Sequence, residues 1–193
     1  MKTMTIFAGP NGSGKSTTVN KYLDSGRSPG KYICPDNFVA VEDRGNLEAY
    51  VKAMQDAETA RHQEIALGHS FSFETVLSTA SKLDFIHYAK RQGYKIHVVY
   101  ITTSSPEINI ARVRDRVLHG GHDVPREKII SRYEKSMQLM FDVVSESDTA
   151  EFYDNSGSQP VFIAEKIENK NLRVAENPPD WFKKYMISKA PTS

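Results

Sequence analysis

Residues 9–17 read Gly-Pro-Asn-Gly-Ser-Gly-Lys-Ser-Thr and follow the apolar run 3–7. Gly9, Gly14, Lys15 and Ser16 meet the spacing G-x-x-x-x-G-K-[ST] at every fixed position, with Pro10, Asn11, Gly12 and Ser13 between them. Each residue type answers a need of phosphate chemistry. Glycines let backbone N–H groups turn inward onto phosphate oxygens, and a helix starting at the lysine adds the positive end of its dipole. Lys15 brings a point charge to the outer phosphates, Ser16 a hydroxyl ligand for Mg2+, and Thr17 a hydroxyl for an inner phosphate. The spacing specifies nucleotide binding. By itself it does not separate a kinase from a hydrolase.

Three other places carry chemistry. Asp36 follows the short run 32–34 and Pro35, and ligands of open α/β sheets bind beyond the carboxyl ends of strands. A carboxylate there can take the proton of a hydroxyl that attacks the terminal phosphate, or it can serve as a turn or helix cap. Glu74 and Thr75 end a second such run, 70–75. Glu74 can orient Mg2+-bound water or hold a substrate hydroxyl, or simply face solvent. Arg112, Arg114, Arg116, Arg126 and Arg132 crowd a stretch broken by Gly120-Gly121 and restarted by Pro125. Two helices hinged there would close a basic lid over a triphosphate, excluding water and neutralising charge on the transferred group. Arg116 and Arg132 are the preferred pair; a solvated basic face is the plainer alternative. His119 and His122 flank the Gly-Gly turn and read as turn residues rather than metal ligands. Cys34 reads as core filler.

Positioning these groups takes alternating strands and helices. Runs 3–7, 32–34, 70–75, 94–103, 150–155 and 160–166 have strand character. The last two would form a hairpin, or the second would lie at an edge. Helical spacing covers about 15–23, 46–67, 80–91, 106–117 and 125–144, with Leu47, Val51, Met54, Arg61 and Ile65 near one stripe of the second helix. Ser105 is the expected cap of the fourth, with Pro106 at its first position. The alternation predicts an α/β fold, a parallel sheet flanked by helices. We expect one domain over 1–193, with a helical lid at about 106–145 and a C-terminal tail at about 171–193.

Composition narrows the class. The chain has 193 residues, 39% hydrophobic and 25% charged, which suits a globular protein rather than a disordered one. A formal charge of +1 supplies no bulk field for nucleic acid or a membrane surface, so an anion site must be built locally. One cysteine precludes an internal disulfide, and no run has the length of a signal peptide or membrane span. These features predict a cytoplasmic protein.

The stretches 7–17, 35–38, 71–75, 112–125, 131–136 and 153–156 together resemble the zeta toxin family of phosphate-loop kinases, in particular its compact branch. The resemblance implies a kinase-like core using ATP or GTP with Mg2+. It also implies transfer of the γ-phosphate to a small molecule, which among zeta toxins is a hydroxyl of UDP-N-acetylglucosamine. On this likeness Lys15 and Ser16 hold phosphate and metal, and Asp36 is the base. Glu74 and Thr75 face the substrate, Arg116 and Arg132 are lid arginines, and Asn155 lies in a loop near the adenine. An antitoxin protein is the implied partner. The chain is shorter than the long zeta toxins and its lid sequence differs from theirs. A nucleotide-binding ATPase acting through a protein partner is the alternative function.

Overall fold

The apolar runs of the sequence lie side by side in one sheet. A computed structural model describes residues 1–43, 46–121, 123–168 and 172–190. Its strands are β1 (Thr3–Ala8), β2 (Lys31–Ile33), β3 (Phe71–Thr75), β4 (Lys95–Thr102), β5 (Thr149–Asp154), β6 (Val161–Lys166) and β7 (Leu172–Val174). They are ordered β2-β3-β1-β4-β5-β6-β7. β1 to β5 are mutually parallel, whereas β6 and β7 add as antiparallel neighbours. The β5–β6 pair is therefore the hairpin of the two readings open in the sequence. β1 and β4 are almost wholly buried, which is why they read as unbroken apolar runs: helices cover both of their faces.

The helices are α1 (Lys15–Asp24), α2 (Leu47–Leu67), α3 (Ser81–Arg91), α4 (Pro106–Leu118), α5 (Arg126–Glu146) and α6 (Asp180–Tyr185), with a 3-10 turn at Pro35–Phe38. α1 contributes Val19 to a cluster with Phe7, Val99 and Ile101. A larger cluster gathers Ala57 and Ile65 of α2, Ile86 of α3, Met137 and Met140 of α5, and Phe182 of α6 around Ile6, Tyr100 and Phe152. Val113, Val124 and Ile129 form a third, separate cluster that joins α4 to α5. The arginine-bearing hairpin is thus held together by its own small core.

Two expectations change. The first half of the expected α2 stripe faces outward, with Leu47, Val51 and Met54 exposed (72%, 48% and 51%), while Arg61 and Ile65 of that stripe are buried as expected, together with Ala53, Ala57, Ala60 and Glu64. Small side chains bring this helix close to its neighbours, and the large ones on its first turns point away. Ser105 does occupy the N-cap position of α4, but its side chain makes no capping bond. The α2 start is capped instead as its sequence allows, Asn46 Oδ1 accepting from Glu48 N at 2.9 Å.

Within the segment expected as a C-terminal tail, β7 pairs with β6 and α6 buries Trp181 and Phe182. Trp181 Nε1 donates to Asp154 Oδ2 at 2.6 Å. Among the described residues no helix is long and apolar enough to cross a membrane.

Candidate functional site

The loop 9–14 runs from the carboxyl end of β1 straight into α1. Gly9 N donates to the Thr75 carbonyl at 3.2 Å, fastening the loop's first residue to the end of β3. Gly9 has φ +147°, and a Cβ there would lie 1.9 Å from the Ile101 carbonyl oxygen. α1 has Gly14 at its N-cap in the left-handed region, no side-chain capping bond and no acid in its first turn. Its first N–H groups therefore lack a side-chain acceptor, the arrangement that favours an anion. Lys15 is buried and donates to the Pro10 carbonyl at 2.9 Å. Burial pulls its pKa down to about 8, with Glu74 opposing and the Arg116 charge adding to the fall. The Ser13 hydroxyl is buried without a partner, while Ser16 and Thr17 are exposed at the mouth.

Three side chains clamp the loop from outside. Asn155 Nδ2 donates to the Ser13 carbonyl at 2.8 Å, Asn109 Nδ2 to the Asn11 carbonyl at 2.7 Å, and an Arg132 nitrogen to Asn11 Oδ1 at 3.3 Å. Asn109 is fully buried on α4 and also bonds Thr103 Oγ1. The structure gives the Asn155 amide a role in bracing the loop backbone. A Gly9→Ala variant should lose stability as well as nucleotide affinity, because backbone strain of about 1–3 kcal/mol adds to the clash at Ile101. Thermal unfolding should show Tm lower by several degrees, at roughly 2–4 °C per kcal/mol for a chain of this size; a Tm equal to wild type would contradict the close packing of the loop.

On the acidic side, Glu74 Oε2 accepts from Ser16 Oγ at 3.1 Å and Oε1 accepts from the Tyr32 hydroxyl at 2.5 Å. Thr75 Oγ1 accepts from Leu77 N at 3.1 Å and so stabilises the turn after β3. Asp36 is exposed in the turn after β2, and among the described residues its carboxylate has no hydrogen-bond partner. The turn closes through backbone, Asn37 N to the Cys34 carbonyl at 3.0 Å. Asp36 is the acid in the first turn of this 3-10 segment, whose N-cap, Cys34, makes no side-chain capping bond. Cys34 is half-buried, and burial raises its thiol pKa, so it is not an activated thiol.

Tyr50 of α2 locates the remaining charges. Burial raises its phenol pKa, Asp36 and Cys34 raise it further, and Arg116 and Arg132 act in the opposite sense. One phenol thus lies within electrostatic reach of Asp36 and both preferred arginines. Arg116 also acts on Lys15, and Arg132 touches Asn11 of the loop. The structure therefore gathers Lys15, Asp36, Arg116 and Arg132 on one side of the molecule. Gly121 makes room for Arg116: a Cβ there would lie 2.4 Å from Arg116 Cγ.

The other arginines have different contacts. Arg112 donates to the Gly157 carbonyl at 2.9 Å, and Arg114 and Arg126 are exposed. His119 Nδ1 lies 2.9 Å from the Asp115 carbonyl oxygen; His122 lies outside the described residues.

Ser16 and Glu74 offer oxygen donors only. Among the described residues there is no cluster of three or more His, Cys, Asp or Glu able to cage an ion. That donor set fits Mg2+, which prefers oxygen, retains waters and takes further ligands from phosphates. Tyr32, Tyr50 and Asn109 were not singled out by sequence reasoning. Asn109 carried a signal: a polar residue four before Val113, on the packing stripe of α4.

The family model described as zeta toxin matches residues 1–166. An uncharacterized protein of Haemophilus influenzae is 30% identical over 130 residues, covering 66% of this chain and 90% of its own length. The AvrRxo1-ORF1:-ORF2 complex solved with ATP contains a chain that superposes with a TM-score of 0.76 at 15% identity, covering 100% of this chain and 66% of that one. This chain therefore spans about two thirds of that relative's length. The PezAT chromosomal toxin–antitoxin system of Streptococcus pneumoniae gives a TM-score of 0.67 at 16% identity, covering 97% of this chain and 80% of that one. The sheet and its helices have the architecture of phosphate-loop kinases.

Proposed function

The chain belongs to the zeta toxin family, and from that premise we propose that it is a phosphotransferase moving the γ-phosphate of ATP to a hydroxyl of a small molecule. The observation that supports this reading is that the exposed Asp36 carboxylate, Arg116 and Arg132 all act electrostatically on one phenol, Tyr50. A carboxylate at Asp36 can take the proton of an organic hydroxyl or of water, and the family's kinase-like fold favours the former.

The roles follow from chemistry and position. Lys15 and the α1 amides hold phosphate oxygens. Ser16, with Glu74 beside it, holds Mg2+, which when bound neutralises phosphate charge. Arg116 and Arg132 approach the transferred group from the hairpin 106–145 and offset the charge that develops there. Asp36 accepts the proton of the attacking hydroxyl, and Thr75 lines the acceptor side. Gly9 to Thr17, with Asn155 bracing the loop, form the nucleotide site. The acceptor we favour is a nucleotide sugar resembling UDP-N-acetylglucosamine. The structural neighbours, one solved with ATP and the other from a toxin–antitoxin system, support ATP as donor and an antitoxin as protein partner.

The test is incubation with γ-labelled ATP and a panel of hydroxyl compounds that includes nucleotide sugars. Label in an organic phosphate is the expected result. Release of free phosphate at one rate across the whole panel would instead establish an ATPase acting through a partner. Arg116→Ala and Arg132→Ala should each lower kcat by about 10²- to 10³-fold, the scale of a lost transition-state charge partner. ATP affinity should change by less than about tenfold, or 1.4 kcal/mol. Steady-state kinetics with the identified acceptor separates the two effects, and an unchanged kcat would return both residues to a solvated surface role.

A further inference from the structure

We propose that Tyr32 is a positioning residue, holding the Glu74 carboxylate in the orientation that serves a divalent cation at Ser16. β2 and β3 run parallel with Tyr32 opposite Ser72. Side chains alternate along a strand, so Glu74, two residues past Ser72, shares the face of Tyr32 and lies one step nearer the phosphate loop. The phenol spans that step and donates to Glu74 Oε1 at 2.5 Å. Its ring packs against the cluster of Phe7, Val19, Val99 and Ile101, so the hydroxyl is aimed by the core and not by a loop.

The need for such a holder follows from the second oxygen. Glu74 Oε2 accepts from Ser16 Oγ at 3.1 Å. A serine hydroxyl that ligates a cation does so through an oxygen lone pair and keeps its proton, so Ser16 can go on donating to Oε2, but a bond to one oxygen alone leaves the carboxylate free to rotate about it. The Tyr32 hydroxyl fixes the other oxygen. With Oε1 engaged by the phenol, Oε2 alone faces the cation, directly or through a metal-bound water. Outer partners of this kind set the orientation of metal-binding groups, and their loss typically weakens metal affinity by about 10- to 100-fold.

The inference rests on the phosphotransferase reading, which places the cation at Ser16, and the test keeps the two apart. Tyr32→Phe retains the ring and removes one oxygen. Mn2+ is titrated into the protein carrying a non-hydrolysable ATP analogue, and free Mn2+ is read by electron paramagnetic resonance. Tyr32→Phe should bind Mn2+ about tenfold more weakly, with wild-type Tm and wild-type affinity for the analogue in the absence of metal. Glu74→Gln should weaken Mn2+ as well, and the double variant should lose no more than the larger single loss, as expected for residues acting as one unit. Unchanged Mn2+ affinity in Tyr32→Phe, with Ser16→Ala weakened, overturns the positioning role and leaves the kinase reading standing. A lowered Tm with equal weakening of metal-free analogue binding overturns it in favour of a packing role. Ser16→Ala without effect on Mn2+ overturns both.

Discussion

Lys15→Met should remove half or more of the stabilisation of this protein by ATP while leaving the nucleotide-free protein nearly as stable as wild type. The two halves of that expectation have separate causes. In the nucleotide-free protein the ammonium is buried, bonded to the Pro10 carbonyl, and driven by desolvation to a pKa of about 8. Removing a desolvated charge relieves a cost, while leaving the Pro10 carbonyl without its donor imposes one of about 1–3 kcal/mol. The two oppose each other, so Tm should move by no more than about 4 °C. A triphosphate reverses the balance by adding negative charge beside the ammonium. Charge-assisted bonds to phosphate contribute about 1.5–3 kcal/mol each, so affinity should fall by about 10- to 100-fold. At 100 times the wild-type Kd, ATP stabilises wild type by about 2.7 kcal/mol, roughly 5–10 °C in Tm; at the same concentration the variant should gain only about 0.4–1.4 kcal/mol, so about half or more of that shift should vanish. Phosphoryl transfer should fall below detection, since the same charge faces the transferred group. Thermal scans with and without ATP check the first part and labelled transfer the second. An intact ATP shift would overturn the assignment of the loop.

The sequence made the loop and its flanking elements legible because their residue types have few other uses. A glycine at φ +147° against a backbone carbonyl, as at Gly9, is a demand that composition displays directly. β4 was legible for a similar reason, since a strand buried on both faces shows an unbroken apolar run. The first half of α2 was misread because two stripes compete along it. Leu47, Val51 and Met54 have helical spacing, but so do Ala53, Ala57 and Ala60, and close packing selected the alanines. β7 escaped notice because three residues at a sheet edge carry too little pattern. Asp36, Glu74 and the arginines could be listed as candidates from their places at strand ends and on a hinged hairpin. What no spacing revealed was which of them meet. Tyr50 draws together charges from residue 36, residue 116 and residue 132, and Tyr32 joins β2 to β3 through a carboxylate. Such contacts depend on strand register and helix rotation, which a one-residue slip would change entirely.

Asp36→Asn is the sharpest separation of transfer from binding. Asparagine keeps the size and the turn, which is closed by backbone and not by this side chain, so the fold should be unaffected. It loses the capacity to take a proton, and transfer to the acceptor should fall by at least about 10²-fold, the lower end of what a positioned base contributes. Nucleotide affinity should move the other way or not at all. Asp36 shares its surroundings with Arg116 and Arg132, and removing its negative charge leaves those cations a stronger field for an incoming triphosphate. ATP should thus bind Asp36→Asn at least as tightly as wild type, the reverse of Lys15→Met. Calorimetric titration of ATP beside single-turnover transfer of label would show the split. If transfer proceeds at the wild-type rate, the hydroxyl needs no base from this residue, and the proposed catalytic role of Asp36 fails. If ATP binding weakens along with transfer, Asp36 supports the nucleotide site, and its charge has a structural task that the present geometry does not assign to it.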